Sequence, residues 1–203
     1  GGRLRVDWVV VITWNGWSSC VESAHIAAPK AGLVRRWGTE AGATPPAGNP
    51  MIGFLKKLAT LLKNLALGSK LGDYNRKEGT RFRDQNAARP GVQVTRSGIQ
   101  YEVLRPGDGA HPKFSSRVRV HYTGTLVDGT VFDSSYARGR PLSIRLLSVI
   151  SGWSEGIRLM PVGSRYRFVI PPDLAYHEQR MGWLIGPSAT LVFEVELLEI
   201  EMP

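Results

Sequence analysis

Cysteine is nearly absent from this chain, in which Cys20 is the one cysteine among 203 residues. A single cysteine excludes an intramolecular disulfide and a cluster of thiolate metal ligands. Histidine is also scarce, and no two histidines stand at the spacing of metal ligands; they are His25, His111, His121 and His177. We therefore expect no metal site.

Long hydrophobic runs are missing as well. The run of four apolar residues at positions 9–12 is far too short to span a bilayer, and it lacks the flanks of a secretory signal. Gly107 and Gly109 lack the further glycines of a phosphate-binding loop, and Ser134 lacks a Gly-x-Ser-x-Gly elbow. These absences argue against nucleotide binding, a serine hydrolase and a bound cofactor.

Acidic residues are scarce in the first part of the chain. Residues 1–90 carry 14 basic and 6 acidic side chains, a net charge of +8, whereas residues 91–203 carry 12 and 11, a net charge of +1. The densest basic group comprises Arg76, Lys77, Arg81, Arg83 and Arg89. We favour a solvated face beside a linker over a contact with phosphates or anionic lipid, and we expect no nucleic-acid partner.

Residues 1–50 show little helical or strand periodicity. They begin with Gly rather than Met, carry four of the six tryptophans and end in a stretch rich in Gly, Ala and Pro. We expect a poorly structured N-terminal extension, disordered or loosely packed, with a genuine but atypical segment as the alternative.

Residues 51–67 predict an amphipathic helix. Apolar side chains recur at spacings of three and four, opposite a polar side that carries three lysines, and Gly68 is a helix stop signal. Three interpretations stay open: packing on its own domain or a second subunit, contact with a membrane surface, or a poor signal sequence. We favour the first, which includes a homodimer through Met51 to Leu67. Membrane-surface contact is the less favoured interpretation.

The rest of the chain divides where the apolar residues begin to recur with a new period. Residues 72–90 are polar and charged, and we expect a linker there, with helix formation limited to 81–88. Beyond it apolar residues recur with a period of two and predict strands at 99–104, 117–123, 130–134, 142–146, 164–170 and 190–200, with one clear helix at 152–160. The sequence thus predicts an α+β domain at 91–203, after an extension at 1–50 and a helix with a charged linker at 51–90.

Two of these strands form a hairpin that contains an unusual acid. Asp128 and Gly129 give a strong tight-turn signal between the strands, and the hairpin sets Tyr122, Phe132 and Asp133 near one another. An unpaired carboxylate beside buried aromatic rings would cost several kcal/mol or become protonated. A specific partner or function must therefore account for Asp133 beside these rings.

Five motifs, which follow one another along the chain, indicate a protein family. They are VHYTG at 120–124, GTVFDSS at 129–135, VISGWSEG at 149–156, IPPDLAY at 170–176 and ATLVFEVEL at 189–197. Together they closely resemble the FKBP-type peptidyl-prolyl cis-trans isomerases. The stretch 86–102, which contains TRSGIQYE at 95–102, resembles the junction between the N-terminal region and the catalytic domain of bacterial members.

The resemblance implies a half-open antiparallel β-sheet wrapped around one short α-helix, with a hydrophobic pocket between them. Carried over position by position, the pocket is lined by Tyr122, Phe132, Asp133, Leu142, Val149, Ile150, Trp153, Tyr176, Ile185 and Phe193, with Arg138 close to Asp133. Trp153 is expected to form the floor on which a proline ring sits. Catalysis is expected of Tyr122, Asp133, Ile150 and Tyr176, and substrate binding of the others.

The implied activity is prolyl isomerisation of polypeptides during protein folding, without a covalent intermediate. Tyr122, the Ile150 N–H and the Tyr176 hydroxyl would hold the carbonyls that flank the proline. Asp133 would either act electrostatically near the amide or only order the pocket together with Tyr122 and Arg138. A peptide-binding or chaperone module with incidental isomerase activity is the alternative function.

Some residues depart from the family pattern. Leu142 stands where many members carry an aromatic residue, His177 where glycine is usual, and Gly186 where the common motif has proline. These changes concern substrate preference and the binding of macrolide inhibitors more than catalysis. We expect proline-containing polypeptides as partners and a cytoplasmic location, with the periplasm as the alternative.

Overall fold

The computed structural model describes residues 50–201. The extension expected at 1–50 therefore lies, except for Pro50, outside the described residues. Two helices come first: α1 covers Pro50–Leu67, and α2 covers Leu71–Ala87 after a short 3-10 turn at Gly68–Lys70. The third helix, α3, covers Ser151–Arg158.

Seven strands follow the first two helices. They are β1 (Val92–Val94), β2 (Gln100–Arg105), β3 (Arg117–Leu126), β4 (Val131–Ser134), β5 (Leu142–Arg145), β6 (Arg165–Ile170) and β7 (Leu191–Glu201). All pairings are antiparallel, in the order β1-β2-β6-β7-β3-β4, and β5 pairs with β3 beside β4. The predicted α+β class is confirmed, and β1 is the one strand here that periodicity did not predict.

The alternation in β7 explains which face of the sheet is buried. Phe193, Val195 and Leu197 have no exposed surface, because they point toward the core. Glu194 and Glu196 point the other way and pair with arginines, at 2.7 Å from Arg165 of the adjacent strand β6 and 2.6 Å from Arg105 at the end of β2. Paired charges outside and apolar side chains inside fix the register of the central strands, since a slip by one residue would reverse both.

Helix α3 lies against the buried face of the sheet. Trp153 and Ile157 of the helix, and Met160 two residues after its end, are at most 1% exposed. Gly156 permits the close packing, because a Cβ atom there would lie 2.9 Å from Cε1 of Phe168 in β6. The helix begins and ends within two residues of the predicted bounds, and it supplies the core with its apolar side.

The charged linker expected at 72–90, with helix formation limited to 81–88, is instead helical over Leu71–Ala87 and docked on the domain, which corrects that prediction. Leu71 is fully buried at the start of α2, and Asn86 at its end donates a 2.8 Å hydrogen bond to Gln100 of β2. Gln100 in turn donates to the Arg83 carbonyl at 2.8 Å. Polar side chains hold this helix against the domain. Its docking could not be predicted, because residues that act through hydrogen bonds do not produce the apolar periodicity by which packed helices are recognised in a sequence.

Helix α1 presents its polar side to the domain and its apolar side to solvent. Thr60 and Asn64 are 5% and 6% exposed, because they face the β3–β4 turn and the segment before β7. The opposite side forms an apolar stripe whose members are 40–68% exposed: Ile52, Phe54, Leu55, Leu58, Leu62 and Leu65. Among residues 50–201, no helix is both long and apolar enough to cross a membrane.

Candidate active site

Four aromatic rings from four different elements meet on the buried face of the sheet. Tyr122 comes from β3, Phe132 from β4, Trp153 from α3 and Phe193 from β7. The Trp153 ring meets Tyr122 edge-on at 5.0 Å between centroids and Phe193 at 5.2 Å, and Phe132 meets Phe193 at 5.5 Å. Edge-to-face pairs of this kind favour a rigid wall, since each ring fixes the orientation of its neighbours.

A glycine in β3 makes room for this cluster. A Cβ atom on Gly124 would lie 2.5 Å from Cζ of Phe132 and 2.9 Å from Cε1 of Phe193. Any other residue would force the two rings apart. Gly124 is also the register partner of Asp133, so its position aligns the carboxylate with the aromatic wall.

Asp133 is held by two neighbours at the edge of the cluster. The Tyr122 hydroxyl donates a hydrogen bond to one carboxylate oxygen, and the Arg138 guanidinium donates to the other. Arg138 also donates to the Tyr122 hydroxyl oxygen at 2.9 Å. The carboxylate has only 9% of its side chain exposed, so the paired arginine provides the compensation that a buried charge needs.

The network determines the protonation of Tyr122. Burial raises the pKa of its hydroxyl well above the usual value, and the hydrogen bond to Asp133 and the negative charge there raise it further. Arg138 opposes this shift without cancelling it. Tyr122 is therefore a neutral hydrogen-bond donor at physiological pH, and it has no role as a base.

The start of α3 brings backbone groups to the same place. The Ile150 carbonyl accepts hydrogen bonds from the N–H groups of Trp153 at 3.0 Å and Ser154 at 3.1 Å. Within residues 50–201, the Ile150 N–H has no acceptor. Val149 and Ile150 are 9% and 7% exposed and pack on the core cluster that holds Trp153. A backbone donor thus remains available to a ligand at the helix start.

The loop at 175–188 carries two further residues of the predicted pocket, Tyr176 and Ile185. Burial, together with the charge of Asp133, raises the pKa of Tyr176 to about 12. The residue is half-buried, and in the part of the chain described its hydroxyl meets no hydrogen-bond partner and remains a protonated donor. Ile185 is 7% exposed, and its N–H and carbonyl pair with those of Met181.

The structure brings together most of the predicted site residues. Tyr122, Phe132, Asp133, Arg138, Trp153 and Phe193 form one contiguous cluster. Leu142 is half-buried in β5 opposite Val120 and packs on the same core. Val149, Ile150, Tyr176 and Ile185 also join that core, from the segment that starts α3 and from the loop at 175–188.

Sequence reasoning missed Ser135 as a support of the site. This fully buried serine accepts a 2.8 Å hydrogen bond from the Tyr122 N–H and donates back to the Tyr122 carbonyl at 3.2 Å. Its hydroxyl also lies 2.9 Å from Nδ1 of His121. The serine belongs to the GTVFDSS motif, so the motif signalled its importance, but the strand alternation did not signal its contact with Tyr122.

A sheet that curls over a short helix, with an aromatic cluster and free donors between them, defines a class of non-covalent binding site. Residues 109–198 match the family model described as FKBP-type peptidyl-prolyl cis-trans isomerase. Residues 52–103 match the domain amino terminal to FKBP-type peptidyl-prolyl isomerase.

Curated relatives agree with these matches. The chain is 54% identical over 123 residues to the FKBP-type 22 kDa peptidyl-prolyl cis-trans isomerase of Escherichia coli, which covers 61% of this chain and 60% of the relative. It is 53% identical over 129 residues to the FKBP-type peptidyl-prolyl cis-trans isomerase FkpA of Aeromonas hydrophila, with 64% and 48% covered. The chain therefore spans about half to three fifths of these relatives' lengths.

Solved structures agree as well. FkpA from Escherichia coli matches with a TM-score of 0.64 at 40% identity, over 74% of this chain and 71% of that one. A peptidyl-prolyl cis-trans isomerase from Pseudomonas syringae matches with a TM-score of 0.60 at 41% identity, over 64% and 96%. The chain belongs to the FKBP-type peptidyl-prolyl cis-trans isomerase family.

Proposed function

We propose that this protein catalyses cis-trans isomerisation of X-Pro bonds in polypeptides during protein folding. The observation that carries the proposal is the paired Asp133 carboxylate beside the aromatic cluster of Tyr122, Phe132, Trp153 and Phe193. A family match over both parts of the described chain supports it.

The site suits a reaction in which no covalent bond breaks. Rotation about an X-Pro amide crosses a barrier of about 18–20 kcal/mol that arises from amide resonance. A catalyst lowers it by binding the twisted amide more tightly than the planar forms. Apolar rings favour the twisted state, because that state separates less charge than the planar amide.

Donors around the rings would hold the substrate backbone. The Ile150 N–H and the Tyr176 hydroxyl have no acceptors within the described residues, so each is available to a substrate carbonyl. Asp133 differs, because both of its oxygens are already engaged by Tyr122 and Arg138. This arrangement supports the pocket-ordering role of Asp133 over a direct role at the amide.

A refolding assay limited by prolyl isomerisation tests the function. The full chain is expected to accelerate the slow phase of a substrate protein, and Trp153→Leu is expected to abolish most of the acceleration. A matched control is Tyr136→Phe, which alters an exposed ring that bonds Glu196 on the outer face. Refolding no faster than spontaneous isomerisation would overturn the proposal.

We also propose that α1 pairs with α1 of a second copy of this chain. The apolar stripe of six side chains points away from the domain and runs along the 18-residue helix. Its self-complementary apolar character fits a helix-to-helix contact between identical chains, and a continuous exposed apolar patch is typical of an interface. The lysine at position 63 stays out of the stripe, with its ammonium 4.0 Å from the centre of the Tyr74 ring.

Sedimentation tests the pairing. The wild-type chain is expected to be a dimer without lipid, and Leu55→Lys with Leu62→Lys is expected to be monomeric. Lys57→Ala, on the same helix but outside the stripe, serves as the control. A monomeric wild type overturns the pairing; if it also binds anionic vesicles, the membrane-surface interpretation replaces it.

The same exposed stripe favours the second candidate function, a peptide-binding or chaperone module. If the wild type speeds isomerisation in short peptides but the stripe variant loses only the acceleration of protein refolding, client binding through α1 is supported. If both activities survive equally in the variant, the chaperone candidate fails.

Binding of macrolide inhibitors is a further proposal for the aromatic site. Phe132, Tyr176 and Leu142 are half-buried around fully buried Trp153, and this arrangement offers partly accessible apolar surface to an apolar ring. Titration of a macrolide into the wild type and into Phe132→Ala tests it. Equal affinity for both proteins would contradict binding at this site.

A further inference from the structure

Both N-terminal helices hold the loop that ends the candidate site. The Asn64 side-chain amide of α1 donates to the carbonyls of Trp183 and Leu184, at 3.3 Å each. The Asn75 amide of α2 donates to the Pro187 carbonyl at 2.9 Å. These hydrogen bonds join residues more than one hundred positions apart, and they lie on both sides of Ile185.

A glycine in the loop allows α2 to approach. A Cβ atom on Gly186 would lie 2.7 Å from the Asn75 side-chain nitrogen and 2.9 Å from Cδ2 of Leu71. A proline at that position would therefore press against Asn75 and Leu71 of α2. The absence of a side chain at Gly186 therefore lets helix and loop fit each other.

The loop has little regular structure of its own. Its backbone contacts include the bridge between Met181 and Ile185 and a 2.8 Å hydrogen bond from the Ser188 N–H to the His177 carbonyl. Both His177 and Ser188 adopt left-handed backbone angles, with φ of 55° and 54°. Such conformations persist only when surrounding structure enforces them, so outside contacts matter for this loop.

Packing alone does not hold α1 against the loop. A pocket of about 130 Å³ lies between α1, α2 and the domain, and its lining includes Asn64, Asn75, Leu184 and Gly186. Since the apolar stripe of α1 faces solvent, Asn64 supplies the specific contacts of α1 with the loop. On α2, Arg76 adds contacts with Glu178 at 2.8 Å and Ser188 at 3.2 Å to the one made by Asn75. Loss of one amide is expected to free the loop locally without unfolding the core.

We propose that Asn64 and Asn75 are positioning residues that set the substrate preference of the site by holding Ile185 in its wall. The inference rests on the proposed isomerase function. Neither asparagine touches the aromatic cluster; each bonds carbonyls that lie within two residues of Ile185. The N-terminal helices thereby become part of the specificity of the enzyme, in addition to any pairing through α1.

Hydrogen–deuterium exchange tests the positioning without reference to activity. In the full chain, Asn64→Ala and Asn75→Ala are each expected to speed amide exchange in residues 181–188 roughly two- to tenfold, while residues 165–170 of β6 exchange as in the wild type. Gln85→Ala, an exposed change on α2, is the matched control and should leave both segments unchanged. Unchanged exchange at 181–188 in both asparagine variants overturns the positioning.

Kinetics tests the link to specificity. The ratio of kcat/KM for peptides with leucine and with alanine before the proline is expected to change roughly two- to tenfold in the asparagine variants and to stay constant in Gln85→Ala. Faster exchange with an unchanged ratio would overturn the role in substrate preference. An inactive wild type would instead refute the proposed function, and exchange would still decide whether the asparagines hold the loop.

Discussion

The Tyr122 hydroxyl on β3 donates its hydrogen bond to the Asp133 carboxylate on β4, and Arg138 bonds both groups. Tyr176 is another donor near the same carboxylate, but its hydroxyl has no partner among residues 50–201. Two tyrosines of the same site therefore differ in what their hydroxyls do for the folded protein. Phenylalanine replacements separate a structural hydroxyl from one that is available to substrate.

The first prediction concerns these two hydroxyls. Tyr122→Phe leaves a charged carboxylate with one partner fewer, and we expect the free energy of unfolding to fall by about 1–3 kcal/mol. Tyr176→Phe removes a hydroxyl without a partner, so stability should change by less than about 0.5 kcal/mol while kcat/KM falls. Urea unfolding and a peptide isomerisation assay measure the two effects. Equal losses of stability would contradict the distinction.

The second prediction concerns alkaline pH. Burial raises the pKa of Tyr176 to about 12 in the folded protein, above the ordinary value of 10.0. As pH rises above the ordinary value, the unfolded chain loses this proton first, so the free energy of unfolding should fall. The contribution of the raised Tyr176 pKa to the free energy of unfolding is therefore fully present below pH 10.0.

Tyr176→Phe isolates this contribution. Stability measured by urea unfolding at several pH values should fall less steeply in the variant than in the wild type above the ordinary tyrosine pKa. The burial-raised pKa of Tyr122 acts in the same direction and persists in the variant. Parallel curves for wild type and variant would contradict the assigned role of Tyr176.

The third prediction concerns the left-handed backbone at His177. A side chain at φ of 55° carries steric strain that glycine avoids. His177→Gly should leave the free energy of unfolding unchanged or raise it by up to about 1 kcal/mol. His177→Val should lower it by about 1–2 kcal/mol, because a β-branched residue is poorly tolerated there. Thermal and urea unfolding of both variants measure the effect, and a stabilising valine would contradict it.

The fourth prediction concerns the docking of α2. A methyl group on Gly79 would overlap the Thr190 hydroxyl, whose oxygen is buried without a partner within the described residues. Gly79→Ala should lower the free energy of unfolding by about 1–3 kcal/mol through overpacking. Adding Thr190→Ala should restore most of the loss, because it removes the overlapping hydroxyl.

A glycine on the other helix provides the control. Gly53 in α1 has open space around its Cα atom, so Gly53→Ala should raise stability by up to about 1 kcal/mol through helix propensity. Urea unfolding of the three variants compares them directly. If Gly79→Ala were as stable as Gly53→Ala, the tight contact with Thr190 would be excluded.

Features that depend on neighbouring residues could be predicted from the sequence. Buried and less buried residues alternate along most of β3 and through the middle of β7, and both strands were predicted within a few residues of their observed bounds. Trp153 and Phe193 were placed by motifs whose residues lie close together in the chain, and the structure joins them at 5.2 Å. Local periodicity and short motifs are visible in one sequence because neighbouring positions determine them.

Contacts between distant positions were not visible. The helix α2, expected to be a linker, docks through Asn75 and Asn86, whose hydrogen bonds have no period. The need for glycine at position 186 appears only when Asn75 and Leu71 are seen beside it. The side of α1 that faces the domain is polar, the reverse of what amphipathicity suggests for a helix packed on its own domain.

The sequence by itself determined the α+β class, the family and the identity of the residues around Asp133, because alternation and contiguous motifs encode them. The tertiary structure alone decided that both oxygens of Asp133 are occupied, that the Tyr176 hydroxyl has no partner in the described residues, and that two helices hold the loop around Ile185. The physical reason is that directional hydrogen bonds and close approach at glycine depend on chain segments that meet only after folding.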